Sequence, residues 1–416
     1  MFAAFYIVIG LIYSAGFVLL FLRLNEKLGS PLDKKWLSGA FAAKLLAGIV
    51  YGYLYAHVFE TSDSWLYFRE SLAEYQKLLK QPLAFFTSGL HFNNAGDFFS
   101  SSDDAAWSNA GENLLIKLLA IFNVFSGGNY YVNVVLFNAF SFYGLYRLFL
   151  VTAAYSPKNK LLLFGILFFL PSCLYWNSGI DKDGLILFFT GQLIFTANAG
   201  IRGKVTVKGW AIALISFLFI YLFRNVNAVL LLPALAAWWL SAKIVRKPWL
   251  VFTGLYGVCI LFFFLSAHFR PVFNLPLRLA EKQHQFLALK ANTVLPLTPL
   301  EPTTASYVRV FPEAVNHVLL RPYISEIKSP FHFMAFMELL LILFVIIVAI
   351  KRSGKHLLQQ IGQPYYLFLL FVAISGLLLI GYTVPFPGAI VRYKALYIIF
   401  LLLPLCCYVK PGADNK

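Results

Sequence analysis

Three sets of charged residues stand where helix building alone does not require them. Asp181-Lys182-Asp183 is a charged triplet in a turn between two apolar runs. Asp181 or Asp183 can cap the helix expected from Gly184, and Lys182 can snorkel. The same turn could be a phosphate site, because a helix N terminus offers unpaired N–H groups and the positive end of a dipole. Lysine has the wrong sign there unless an anion is present. Arg392 and Lys394 follow Pro385-Phe386-Pro387-Gly388 at the start of the last apolar run. A cation at the positive end of a helix costs about 0.3–1 kcal/mol. A bound phosphate or diphosphate removes that cost, with arginine supplying a two-pronged fork; lipid headgroups are the plainer partner. Arg224-Asn225, between two further apolar runs, follows the same logic. Asp63, near Trp65 and Tyr67, could take a proton from a sugar hydroxyl or bind a cation, or it could cap the helix that follows. Trp65, Trp107 and Trp176 could stack on sugar rings, although most tryptophans at the ends of apolar runs form an aromatic belt. Glu338, a few residues into a run, is a candidate proton or polar-network site. Asp97, Asp103 and Asp104 read as solvated loop acids.

The elements that must position these residues are membrane spans. Of the 416 residues, 60% are hydrophobic and 12% charged, and mean hydropathy is +0.73. Soluble domains carry about 25% charged residues. A hydrocarbon core of about 30 Å needs about 20 apolar residues. Eleven runs approach that length: 2–22, 39–59, 130–152, 161–177, 185–200, 210–223, 226–242, 249–267, 331–350, 364–384 and 395–409. The first has no basic n-region and ends at Arg23, so it is expected to remain as a span. The expected fold class is all-α, one polytopic transmembrane domain over 1–416. With the N terminus outside, the inner segments collect most of the lysines and arginines but only Glu26, Asp33 and Asp414 of the acids. That is the positive-inside pattern, and it places the C terminus in the cytoplasm. Lys44, inside the second run, is read as snorkelling inward. Asp63, the 181–183 triplet, Arg224 and Arg392 then share the outer face.

Two outer segments are long. Residues 60–129 are expected to hold two interfacial helices. One carries Trp65, Phe68, Leu72, Tyr75 and Leu79 at helical spacing; the other is the short run 113–125. Residues 268–330 form a proline-rich loop. The four cysteines, Cys173, Cys259, Cys406 and Cys407, all lie in apolar runs, which supports neither a disulfide framework nor a zinc site. The net charge of +16 forms no stripe interleaved with stacking aromatics, so no nucleic-acid partner is expected. No internal repeat, phosphate loop, nucleophile elbow, HExxH or dinucleotide fingerprint is present.

In architecture the chain resembles the GT-C superfamily of polytopic glycosyltransferases, which move sugars from polyprenyl-phosphate carriers. The turn Tyr175-Trp176-Asn177-Ser178-Gly179-Ile180-Asp181-Lys182-Asp183 is similar to a Trp-Ser-Gly-Lys-acid turn of bacterial envelope-polysaccharide membrane proteins. Gly388-Ala389-Ile390-Val391-Arg392-Tyr393-Lys394 is similar to their terminal Gly-x-x-x-Arg-Tyr-Arg segment. The resemblance implies an envelope-glycan enzyme in the cytoplasmic membrane. It would take a polyprenyl-phosphate-linked donor and a glycan, lipid or protein acceptor at the outer face. Asp63, Asp181 and Asp183 would be its catalytic candidates. Lys182, Arg224, Arg392 and Lys394 would grip phosphate, and Trp65, Tyr67 and Trp176 would meet the sugar. The first large outer loop follows the second span here, where the family places it after the first. The family's acidic pair is reduced to Asp63-Ser64, so a divalent cation stays open as the one cofactor. The nearest alternative is an O-antigen-type polymerase. A lipid-linked glycan transporter or flippase is the alternative of another class; it predicts charges near the bilayer midplane and internal pseudo-symmetry.

Overall fold

Away from water, an apolar run satisfies its own backbone N–H and C=O groups only by coiling into a helix, and this chain folds accordingly. The computed structural model describes residues 2–59, 63–88, 103–156, 159–243, 247–289, 293–353, 357 and 361–406. Apart from short 3₁₀ turns, every regular element among them is α-helical. In order these are α1 (Phe2–Lys27), α2 (Lys34–His57), α3 (Asp63–Lys80), α4 (Pro82–Thr87), α5 (Asp103–Ser126) and α6 (Tyr130–Tyr155). There follow α7 (Lys160–Phe169), α8 (Pro171–Trp176), α9 (Lys182–Ile201), α10 (Val207–Phe223), α11 (Asn225–Lys243) and α12 (Pro248–Leu265). The last five are α13 (Leu275–Ala288), α14 (Thr304–Leu319), α15 (Pro330–Ser353), α16 (Pro364–Thr383) and α17 (Pro387–Cys406).

Nine helices among the described residues are long and apolar enough to cross a membrane: α1, α2, α6, α9, α11, α12, α15, α16 and α17. The other two expected spans are shorter. α10 has 17 residues. The run 161–177 breaks at Leu170 into α7 and α8, because Pro171 has no N–H to continue the ladder and instead starts the next helix. Two boundaries also move. α5 runs for 24 residues, where a short helix over 113–125 was expected. α17 begins at Pro387, well before the expected 395.

The chain divides into two compact units. The first comprises Met1–Lys160, Leu167–Phe169 and Leu174–Ala228. Within it α6 and α9 run parallel and touch along their length. Gly184 faces Phe137, Gly191 meets Gly144, and Tyr155 donates its hydroxyl to Asn198 Oδ1 at 3.0 Å. A Cβ on Gly191 would land on the Gly144 carbonyl, so the crossing exists only with glycine at both positions. Phe21, Phe41 and Phe142 tie α1, α2 and α6 together, with ring centroids 4.8–5.3 Å apart. α3 is helical as its spacing predicts, but its buried face is Ser64, Tyr67, Phe68 and Ser71. The expected Leu79 is exposed. Hydrogen bonds turn the helix to this face: Asn123 donates to Ser71 Oγ at 2.9 Å, and Asn133 donates to Asn123 Oδ1 at 2.6 Å.

The second unit comprises Leu161–Ile166, Leu170–Cys173 and Val229–Lys416. Here the expected proline-rich loop folds into α13 and α14, with Ala280, Leu300, Tyr307 and Val310 as a shared apolar cluster. Gln283 is fully buried and ties three segments together. Its amide donates to the Tyr382 and Thr298 carbonyls at 2.9 and 3.1 Å, and its oxygen accepts from Leu300 N at 2.8 Å.

Candidate functional site

The first unit holds a polar site around the N terminus of α9. Asp181 is the N-cap, in extended conformation, and its carboxylate accepts the Lys182 N–H at 2.7 Å. Asp183 sits in the first turn, where a carboxylate complements the dipole. The preceding turn is held from two sides. Lys44 of α2 donates to the Asn177 carbonyl at 2.9 Å and to Ser178 Oγ at 3.2 Å. Asn138 of α6 donates to the Ser178 carbonyl at 2.8 Å. Asn138 lies eight residues along α6 from Tyr130, or about 12 Å at 1.5 Å per residue. The turn is thus recessed well below the Tyr130 end of the helix. Lys44, expected to snorkel, is 1% exposed and is spent on this turn.

Two cations of the site, Lys182 and Arg224, are each matched by a carboxylate. Lys182 Nζ is 2.9 Å from Glu112 of α5, and Arg224 is 3.0 Å from Asp183. Arg224 also occupies the C-cap of α10, where a cation suits the dipole. The anion that a lysine at a helix N terminus demands is therefore present in the protein itself. The side chains of Lys182, Glu112 and Arg224 are 13, 33 and 26% exposed against 9% for Asp183, so three of the four charges keep some contact with the surface.

Aromatic rings adjoin the carboxylates. Trp65 stacks on Tyr130 at 3.9 Å between centroids and donates its indole N–H to the Gly52 carbonyl at 2.9 Å. One face of Trp65 is thereby covered, which leaves at most the other for a sugar. The Tyr130 hydroxyl is 2.7 Å from Ser64 Oγ, and Tyr130 lies within electrostatic reach of Asp181. Trp176 is half-buried, edge-on to Tyr51 at 6.1 Å and to Tyr175 at 5.2 Å. Tyr67 lies on the buried face of α3, 7% exposed. Asp63 is exposed and is the first residue of α3, inside the helix it was expected to cap. Asp97 and the side chains of Asp103, Asp104 and Trp107 lie outside the described residues.

Arg392 and Lys394 belong to the second unit, and their expected role loses its premise there. Since α17 starts at Pro387, both lie beyond its first turn, where the dipole effect has faded. Arg392 is half-buried beside the Tyr393 ring, 6.0 Å from its centroid. Lys394 is 5% exposed and donates to the Val318 carbonyl at 3.1 Å. Val318 sits in the last turn of α14, so the lysine closes the negative end of that helix. Glu338 likewise accepts the Ser172 N–H at 2.9 Å, at the start of α8, within reach of the Lys394 charge. Each of these buried charges thus meets a helix terminus of opposite sign.

Among the described residues, no three of His, Cys, Asp and Glu gather as metal ligands would, so a divalent cation has no such donor set there. Sequence reasoning missed Lys44, Glu112, Asn138 and Tyr130. A lysine inside an apolar run was itself a signal; the other three carried none. Comparison with family models, with curated proteins and with solved structures finds no match to this chain.

Proposed function

We propose that this protein is a membrane glycosyltransferase that uses a polyprenyl-phosphate-linked donor at the outer face of the cytoplasmic membrane in envelope glycan assembly. The supporting observation is the grouping of two buried carboxylates, Asp181 and Asp183, with Lys182 and Arg224, on a turn that also carries the Tyr175 and Trp176 rings packed on Tyr51. In this reading a carboxylate takes the proton of the acceptor hydroxyl as its oxygen bonds to the anomeric carbon. The bond from that carbon to the phosphate oxygen breaks, and the leaving phosphate keeps the electron pair beside Lys182 and Arg224. Asp183 is the better-placed base, in place of the exposed Asp63. An O-antigen-type polymerase shares this chemistry and differs in using two lipid-linked chains.

A transporter of lipid-linked glycans gains weight from one observation. Lys44, Glu338 and Lys394 are buried within candidate spans, where charges are rare unless functional. The test is transfer from a labelled polyprenyl-phosphate sugar by the purified protein in liposomes. Asp183→Asn removes the base and is expected to abolish product, whereas Asp181→Asn keeps the helix cap and serves as the structural control. Full turnover in Asp183→Asn would refute the enzyme as drawn. Movement of the labelled lipid between leaflets without product would favour the transporter.

A further inference from the structure

Glu112, Lys182, Asp183 and Arg224 form a chain of alternating charge drawn from three places: α5, the first turn of α9, and the junction of α10 and α11. They are brought together by tight packing. A Cβ on Gly111, next to Glu112, would come within 2.6 Å of the Leu222 carbonyl, near the end of α10. With Asp181 and the Lys44 of the preceding turn included, the site holds three carboxylates against three cations, so its charges already balance. An added phosphate therefore upsets that balance unless it takes the place of a protein carboxylate. Lys182 contacts the Glu112 carboxylate and Arg224 that of Asp183, and the two carboxylates come from different helices. A ligand with two linked anionic groups can replace both contacts, one for one, so that each cation keeps an anionic partner. A single phosphate can satisfy only one cation and leaves the other pair intact.

Resting on the phosphate-donor reading above, we propose that Glu112 and Asp183 are placeholder anions for a diphosphate. A diphosphate-linked lipid exchanges against both of them, and the displaced Asp183 becomes the carboxylate that accepts the acceptor's proton. The site thereby selects a diphosphate over a monophosphate carrier, and the base is withheld until the donor is seated.

The experiment measures binding of farnesyl diphosphate and farnesyl monophosphate to the full-length protein in detergent micelles, with melting followed on the same samples. The wild type is expected to prefer the diphosphate by about tenfold, the worth of one charge-assisted contact. Glu112→Gln removes a competitor for Lys182 and is expected to tighten diphosphate binding several-fold. Lys182→Met/Glu112→Gln removes the whole pair, which leaves no orphan charge to unfold the protein, and is expected to erase the preference. Unchanged or weaker diphosphate binding in a folded Glu112→Gln variant overturns the proposal. So does a preference that survives in the double variant. Equal affinity of the wild type for the two lipids sinks the diphosphate inference alone, whereas binding of neither sinks the phosphate-site reading with it.

Discussion

Lys44→Met tests whether the recessed turn is built by α2. Methionine keeps the apolar stem and removes the ammonium, which donates to the Asn177 carbonyl at 2.9 Å and to Ser178 Oγ at 3.2 Å. Hydrogen bonds from a charged donor contribute about 1.5–3 kcal/mol each, so the gross loss is about 3–6 kcal/mol. Against that stands the penalty of keeping an ammonium out of water, still several kcal/mol after relaxation. The carbonyl left behind belongs to a residue 5% exposed and cannot recover its partner from solvent. The net expectation is a loss of about 1–3 kcal/mol, felt first in the turn. Global melting of so many helices is not two-state, so the assay is amide exchange over Ser178–Asp183, the segment held by Lys44 and Asn138. A change of 1–3 kcal/mol in local opening speeds exchange by about 5-fold to 150-fold. Exchange in the Met variant within about twofold of wild type would show that desolvation cancels the two bonds and that the turn holds itself.

Gly191→Val places a branched side chain on the Gly144 carbonyl. It is expected to cost at least about 3 kcal/mol and to abolish a folded first unit, read as loss of a monodisperse peak in detergent. Lys394→Met leaves the α14 terminus uncapped and Glu338 without its nearby cation. It should lower the apparent melting temperature while leaving lipid-phosphate affinity unchanged, and Lys394→Met/Glu338→Gln should recover part of that drop, because no buried charge is then left without its partner. Burial holds the His317 imidazole below its ordinary value, with Arg321 adding to the depression and Glu313 and Glu326 opposing it. The unfolded chain therefore takes up a proton before the folded one as pH falls below about 6.5, and stability should drop from there down to the lower folded value. His317→Gln should flatten that slope in melting curves taken between about pH 8 and about pH 5.

The spans were legible because a helix in an apolar medium asks only for length and composition, both visible in runs such as 364–384. The cap at Asp181 was legible because capping is local. Two boundaries were misplaced although the chain carried the signals: Pro387 is a helix starter and Asp103-Asp104 an acidic first turn, yet both were read as loop. The pairing of Lys182 with Glu112 was not legible, since the partners lie 70 positions apart and nothing local marks them. The contact of Lys394 with Val318 was not legible for a related reason. The charge was visible, but the helix end that needs it belongs to α14, 76 positions earlier in the chain.

The turn before α9 borrows its stability from elements far upstream: Lys44 lies 133 positions before Asn177, and Asn138 lies 40 before Ser178. A ribosome delivers α2 and α6 first, so by the time this segment leaves the translocon its donors already stand in place. Synthesised alone, the segment 171–201 would expose bare carbonyls to lipid or be pushed back into water. If Lys44 and Asn138 hold the turn as the exchange experiment tests, the N-terminal helices act as an internal chaperone for the residues that carry the charge. A circular permutant that places α2 after α9 would thus fail during biogenesis even if its finished fold were equally stable.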